Sequence, residues 1–514
     1  MKKIALLLAP ALALLVTSVV AHAEVTLPKI LSDHMVLQRS RPIHLWGWAD
    51  PGEQVTATLR SGKATTKADG LGHWSLYLPP EQAGGPYQIT IAGTNTIVLS
   101  DVMIGDVWFA SGQSNMQLPL MGFPGSAVVA NGEEEIRNAT QPELRLLHFP
   151  DKATPYPQQD QSASWTLCTP ETAASFSAAA YFFGREIARR EHVTVGLIDS
   201  TWGGTPASSW VSMDSIGSDA SLMPVFAEWA HMSDDYVDLP RVIAQENRED
   251  AAALAAGKPK PEHPWHPNLD SWDPAWLYNG MVAPAVNFPI KGVIWYQGEA
   301  DTGLYRAAMY QRIFPALIQD WRRQWQEGNF PFLFVQISAF TSSPDEDWAV
   351  VREAQRRTLS LANTAMAVTI DIGNPTNVHP ADKQDVGHRL ALAALALAYG
   401  DPVKYSGPLY RQASVDGHSL QIWFDHAASG LVAKGSGPLT GFEIAGADKN
   451  FVPATARIVN QSGVDTVLVS SPRVPDPEYV RYGWANYPTP ILKLFNGAGL
   501  PASPFTTEKN IPNP

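Results

Sequence analysis

The period of the hydrophobic pattern changes along the chain, and each change marks a different architecture. From about residue 24 to 100 apolar and polar positions alternate in short runs, among them His44-Leu-Trp-Gly-Trp48, Gln54-Val-Thr-Ala-Thr-Leu59, His73-Trp-Ser-Leu-Tyr-Leu78 and Tyr87-Gln-Ile-Thr-Ile91. Asp50-Pro-Gly, Ser61-Gly, Asp69-Gly and Gly84-Gly-Pro punctuate them. Several short period-two runs at this spacing predict an antiparallel β-sandwich. From Asp101 continuous apolar runs alternate with amphipathic ones. The runs predict strands over 102–110, 194–198, 291–296, 331–337 and 365–370, and helices over 176–191, 305–326, 351–361 and 383–399. That alternation predicts a mostly parallel sheet covered on both faces, with reactive residues at the carboxyl ends of its strands.

Between about residues 214 and 277 the alternation lapses into an acidic, Ala-rich and then Pro- and Trp-rich stretch, which reads as an insertion of one helix followed by a long loop near the site. After Pro402 strand-like runs return, at 419–424 and 466–470, and predict a second small β region. The first residues carry the layout of an export signal: Lys2 and Lys3, an apolar run from Ile4 to Val20, and Ala21-His22-Ala23 as a small-x-small cleavage site. The expected organisation is therefore a signal at 1–23, a β-sandwich at 24–100, an α/β domain at 101–401 and a β region at 402–514. No later stretch approaches the ~18 apolar residues of a membrane span, so the expectation is an exported protein, periplasmic or secreted, with no membrane anchor after cleavage.

Composition narrows the partners. Loss of Lys2 and Lys3 takes the net charge from −13 to −15, and an acidic surface argues against nucleic acid. Cys168 is the single cysteine, which excludes an intramolecular disulfide. Its Trp-Thr-Leu-Cys-Thr-Pro context reads as a buried structural thiol. Seventeen Trp fit an exported protein that handles carbohydrate, because aromatic faces stack on sugar rings, although Trp also fills cores.

Four segments at strand ends carry candidate chemistry. Gly112-Gln113-Ser114-Asn115-Met116 presents a serine on a strand-to-helix turn, as a nucleophile or as a helix cap. Trp202-Gly203-Gly204-Thr205 offers a backbone N–H to an oxyanion, or is an ordinary turn. In Trp295-Tyr296-Gln297-Gly298-Glu299-Ala300-Asp301, Gln297 offers a side-chain donor to the same oxyanion, and a purely structural polar network is the alternative. Asp371-Ile-Gly-Asn-Pro-Thr376-Asn377-Val-His379-Pro380 supplies a histidine, the usual general base for a serine.

Taken in order, Ala110-Ser-Gly-Gln-Ser-Asn-Met116, Trp202-Gly-Gly-Thr-Pro206, Gly292-Val-Ile-Trp-Tyr-Gln-Gly-Glu-Ala-Asp301 and Ile372 through His379-Pro-Ala-Asp-Lys-Gln-Asp-Val-Gly387 resemble the sialate O-acetylesterase family of SGNH hydrolases. Leu277-Tyr-Asn-Gly-Met-Val-Ala-Pro284 and Leu31-Ser-Asp-His-Met-Val-Leu-Gln38 extend the resemblance over nearly all of the chain after residue 23. The resemblance implies an SGNH (flavodoxin-like) three-layer α/β/α core and a serine esterase acting on an O-acetylated sialic acid or glycan. It implies Ser114 as nucleophile, His379 as base, and an oxyanion hole from the N–H groups of Ser114 and Gly203 with the Gln297 side chain. It implies neither cofactor nor metal. Where SGNH enzymes carry an Asp three residues before the His, this chain has Thr376. A main-chain carbonyl at Thr376 or Asn377 is the preferred group to orient His379, with Asp371 as the alternative.

Other readings compete. Related bacterial esterases deacetylate xylan and other plant glycans. A glycan-binding protein without catalysis is a reading of another class. A metallo-hydrolase using Glu262, His263, His266 and Asp270 is a third, weakened by prolines that break any helix aligning the ligands.

Overall fold

The structure, a computed structural model, describes residues 24–510. The expected signal at residues 1–23 lies outside the described residues. Six strands form the centre: β1 (Thr96–Gly112), β2 (Gln141–His148), β3 (Val195–Thr201), β4 (Gly292–Tyr296), β5 (Phe332–Gln336) and β6 (Thr364–Val368). They lie in the order β6-β5-β4-β1-β3-β2, and every neighbouring pair is parallel. All residues of β3, β4 and β5 are buried, as strands covered on both faces require. The fold is thus mixed α/β around a mostly parallel sheet.

The helices named below are α1 (Ser114–Gln117), α2 (Ala178–Glu191), α3 (Pro224–Asp235), α4 (Leu239–Ala255), α5 (Leu304–Trp325), α6 (Trp348–Thr358) and α7 (Lys383–Ala394). Helix α5 buries Tyr310, Ile313, Phe314, Leu317, Ile318, Trp321 and Trp325, the three-and-four spacing of a single apolar face. Trp321 meets Phe109 of β1 and Trp295 of β4 edge-on, with ring centroids 5.6 Å apart in both pairs. Elsewhere α7 lies so close to α2 that a β-carbon on Gly387 would fall 2.5 Å from the Phe182 β-carbon. Trp108, Trp210, Trp295, Trp321 and Trp348 are fully buried. Much of the tryptophan content is therefore core.

The regions on either side are joined to this centre by specific contacts. Strand β1 pairs antiparallel with the strand Gly84–Ala92 along its first half and parallel with β3 and β4 along its second. Residues 100 and 101, where the sequence pattern changes, thus lie within one continuous strand. Strands Leu409–Asp416, Ser419–Asp425, Val464–Ser470 and Thr455–Gln461 make an antiparallel sheet in the C-terminal region. The buried Arg352 of α6 ties that region down by donating to the carbonyl oxygens of Ala485 and Asn486, at 2.7 and 2.8 Å.

Residues 214–277 depart from the expected single helix. After a short helix at Met213–Ser218, α3 and α4 follow in succession, and only then does the chain run back without regular structure toward Leu269. Most α4 side chains are exposed. Among the described residues no helix is long and apolar enough to cross a membrane.

Candidate active site

Strand β1 ends at Gly112, where φ is +135° and a β-carbon would stand 2.1 Å from the Tyr296 carbonyl oxygen of β4. Only glycine tolerates both the conformation and the approach. The Gln113 N–H then donates to that same carbonyl at 3.0 Å, and Ser114 opens α1. Its N–H stands at the open end of the helix, where no intrahelical acceptor exists.

A cavity of about 900 Å³ lies over this end of the sheet. Ser114, Gly203, Thr376, Asn377 and His379 line it, with Trp202, Trp265 and Trp272 as an aromatic wall. The predicted nucleophile, base and backbone donor therefore share one cavity, although they come from strand ends far apart in sequence. Gly203 abuts the serine, since a β-carbon on it would fall 3.2 Å from the Ser114 β-carbon. Its N–H donates to Gln117 Oε1 at 2.8 Å, so in this structure a side-chain oxygen takes the donor offered to an oxyanion.

His379 lies in the loop between β6 and α7, with its ring edge-on to Phe123 at 5.6 Å. Its Nε2 is buried without a hydrogen-bond partner. Burial first, and the nearby Lys383 ammonium second, push its pKa down to about 4. The ring is consequently neutral at physiological pH, the state a general base needs.

Two expectations for the site are corrected. Gln297 does not reach the cavity. It is fully buried, and its side-chain NH2 donates to the Thr205 carbonyl, at 3.0 Å, and to Asp301. Its Oε1 accepts from Tyr310 at 3.1 Å. Asp301 in turn accepts from the Ala207 N–H at 2.9 Å, so the pair anchors the loop after Gly203–Gly204. Asp371 does not orient His379 either. Its two oxygens accept from Arg389 of α7 at 2.6 and 2.9 Å. Nor does a carbonyl at Thr376 or Asn377 accept from the imidazole. The Asn377 side chain instead accepts from the His379 backbone N–H at 2.9 Å.

A buried network around Asn115 and Lys383, two residues that the sequence reading missed, links the candidate nucleophile and the candidate base. The Asn115 NH2 donates to Glu299 Oε1 at 2.6 Å and to the Val378 carbonyl at 3.0 Å, and its Oδ1 accepts from Lys383 Nζ at 2.5 Å. Asn115 thereby ties the residue after Ser114 to the residue before His379. Burial raises Glu299 to about 6 and lowers Lys383 to about 7, because each charge is costly without water. Asn115 and Lys383 both sit inside the motifs read above, and their adjacency to Ser114 and His379 was the available signal.

The remaining candidates lie elsewhere. His263 and His266 pin the returning loop of the insertion onto α4, with Nε2 atoms 3.0 Å from Asp250 and 2.9 Å from Glu246. That loop sets Trp265 over Gly204, where a β-carbon would fall 2.5 Å from the indole. Among the described residues no group of three or more His, Cys, Asp or Glu is arranged to hold a metal ion. Cys168 is buried, its thiol pushed up to about 12 by burial.

Comparison with known proteins adds to this geometry. Residues 262–396 match the family model described as carbohydrate esterase, sialic acid-specific acetylesterase. The chain is 29% identical to the sialate O-acetylesterase of Homo sapiens, across 92% of this chain and 91% of that protein. It is 26% identical to the sialate O-acetylesterase of Mus musculus, across 93% of each. The crystal structure of a carbohydrate acetylesterase from Xanthomonas citri superposes with a TM-score of 0.80 at 37% identity, covering 94% of this chain and 100% of that one.

Proposed function

Because the chain belongs to the carbohydrate esterase family of sialic acid-specific acetylesterases and is a carboxylic ester hydrolase, we propose that it removes O-acetyl groups from sialic acid with Ser114 as nucleophile and His379 as base. The observation that carries the assignment is the sharing of one cavity by Ser114 and a neutral His379 whose Nε2 is buried and unpartnered. A serine hydroxyl is the donor that nitrogen lacks. His379 takes the proton as Ser114 Oγ attacks the acetyl carbonyl, then returns it to the departing sugar oxygen. Water attacks the acetyl-enzyme in the second step, with His379 again as base, and acetate leaves.

The Ser114 N–H and the Gly203 N–H form the oxyanion hole, the latter once Gln117 Oε1 gives way to the substrate oxygen. The Asn115–Glu299–Lys383 network positions the two reacting side chains. Among the described residues no acidic residue hydrogen-bonds the His379 ring, which supports a Ser–His dyad.

The strand order β6-β5-β4-β1-β3, with β2 added at the edge, supports the finer reading of an SGNH (flavodoxin-like) three-layer domain over 101–401. That reading keeps an N-terminal β-sandwich at 24–100, a C-terminal β region at 402–514 and a cleaved signal that directs the enzyme to the periplasm or the exterior.

Acetate release from O-acetylated N-acetylneuraminic acid, measured beside acetylated xylan with the same purified protein, tests the substrate. Faster turnover of the sialate is expected. Turnover of xylan alone would reassign the enzyme to plant-glycan deacetylation, and no turnover of any acetyl ester would leave a binding protein.

A further inference from the structure

Arg306 lines the cavity together with Ser114 and His379, and among the described residues it is the only lysine or arginine that does. It is held rigidly. The guanidinium carbon lies 4.8 Å from the centre of the Trp272 ring, and Nε donates to the Ala300 carbonyl at 2.8 Å. Among the described residues its two terminal nitrogens have no acceptor and no carboxylate lies within ion-pair distance of it. The three carboxylates that line the cavity, Asp151, Glu299 and Glu346, are all outside that distance. Glu299 is engaged with Asn115, and Glu346 accepts from the Trp348 indole at 2.8 Å. Asp301 and Glu228 are close enough to feel the guanidinium charge, and burial raises their pKa values to about 6 and about 7.

The placement on α5 is informative as well. Arg306 occupies the first turn of a 22-residue helix that has no acidic residue there. A cation at that position opposes the helix dipole and lowers helix stability, so local structure gives no reason for it. An anion bound at the same place is favoured by the dipole and by the guanidinium together. Gly303 leaves space for the fork, since a β-carbon there would fall 3.1 Å from Arg306 Nη2.

We propose that Arg306 receives the carboxylate of an acidic sugar in a two-point hydrogen bond, so that the cavity selects a sialic acid over neutral acetylated sugars. A planar, pre-stacked guanidinium with two free terminal nitrogens matches a carboxylate better than any other common sugar substituent. The inference rests on the acetylesterase reading above and names the residue that sets its substrate class.

The test measures binding separately from turnover. Calorimetry compares free N-acetylneuraminic acid with its carboxyl methyl ester, on the wild-type protein and on Arg306→Gln. The wild type is expected to bind the acid about 10–100-fold more tightly than the ester, the value of charge-assisted hydrogen bonds. Arg306→Gln is expected to bind the two alike, and to raise KM for the O-acetylated acid far more than it lowers kcat. A wild type that binds acid and ester equally overturns the proposal, and that comparison needs no variant to fold. A folded Arg306→Gln protein that keeps the preference also overturns it. Failure of the acetylesterase reading looks different, because the wild type would then release no acetate from the sialate whatever its preference between acid and ester.

Discussion

An esterase whose base is already neutral well below pH 6 should keep working where an ordinary histidine enzyme stops. Burial and the Lys383 charge lower His379 to about 4. The direction follows from two costs that add: the imidazolium loses solvation, and it would share the region with a second cation. At pH 5 an unperturbed histidine of pKa ~6.5 is neutral in about 3% of molecules, whereas one of pKa ~4 is neutral in about 90%. The ratio predicts kcat/KM at pH 5 roughly 30-fold above that of a dyad with an unshifted base. The assay is kcat/KM for the uncharged ester 4-nitrophenyl acetate from pH 4 to 8, because that parameter reports the free enzyme. Glu299 and Lys383, at about 6 and about 7, titrate in the same range behind Asn115. The imidazole itself is therefore followed by NMR in the Ser114→Ala protein. A flat profile down to about pH 5 and a ring titration near 4 are expected. A limb at or above ~6.5, matched by the ring titration, would refute the argument. Stability carries the same sign. The folded pKa lies below the unfolded value, so the contribution of this ring to stability is present above pH ~6.5 and is lost as pH falls from there toward 4.

Other expectations follow from the contacts of single residues. Ser114→Ala should abolish acetate release, by roughly 10⁶ in kcat as in a comparable serine hydrolase, with an unchanged thermal melt; a folded variant with more than about a tenth of the activity would remove Ser114 from its role. Gln297→Ala should mainly destabilise the protein, by about 1–3 kcal/mol, because the buried Thr205 carbonyl loses its side-chain donor and Asp301 and Tyr310 each lose one buried partner. An unchanged melt with kcat lowered roughly 10²–10³-fold would restore Gln297 as an oxyanion donor. Asp371→Asn should lower the melting temperature through Arg389 while costing less than about tenfold in activity, and a loss near ~10⁴ would make Asp371 a triad member after all.

Periodicity carried much of the architecture. The apolar runs read over 291–296, 331–337 and 365–370 become the strands Gly292–Tyr296, Phe332–Gln336 and Thr364–Val368, because a strand buried on both faces takes mostly apolar side chains and such a run is visible locally. The joint presence of Ser114, Gly203 and His379 at one cavity was legible too, since parallel strands deliver their carboxyl ends to one edge. Their chemistry came from residue type at those ends. What periodicity does not encode is which polar group a buried polar side chain finds. Gln297 stands at a strand end, as the pattern said, yet its side chain points away from the cavity into the Thr205–Asp301 network. Asp371 is claimed by Arg389, a turn of helix beyond the loop, before it can serve His379. Asn115 and Lys383 are separated by 268 positions, and nothing in either neighbourhood names the other. Arg306 is half-buried in the first turn of its helix and acquires meaning only against Trp272, in the cavity that Ser114 also lines. Burial is a property each segment carries along the chain, whereas hydrogen-bond partners and pKa shifts depend on distances that exist only once the sheet has assembled.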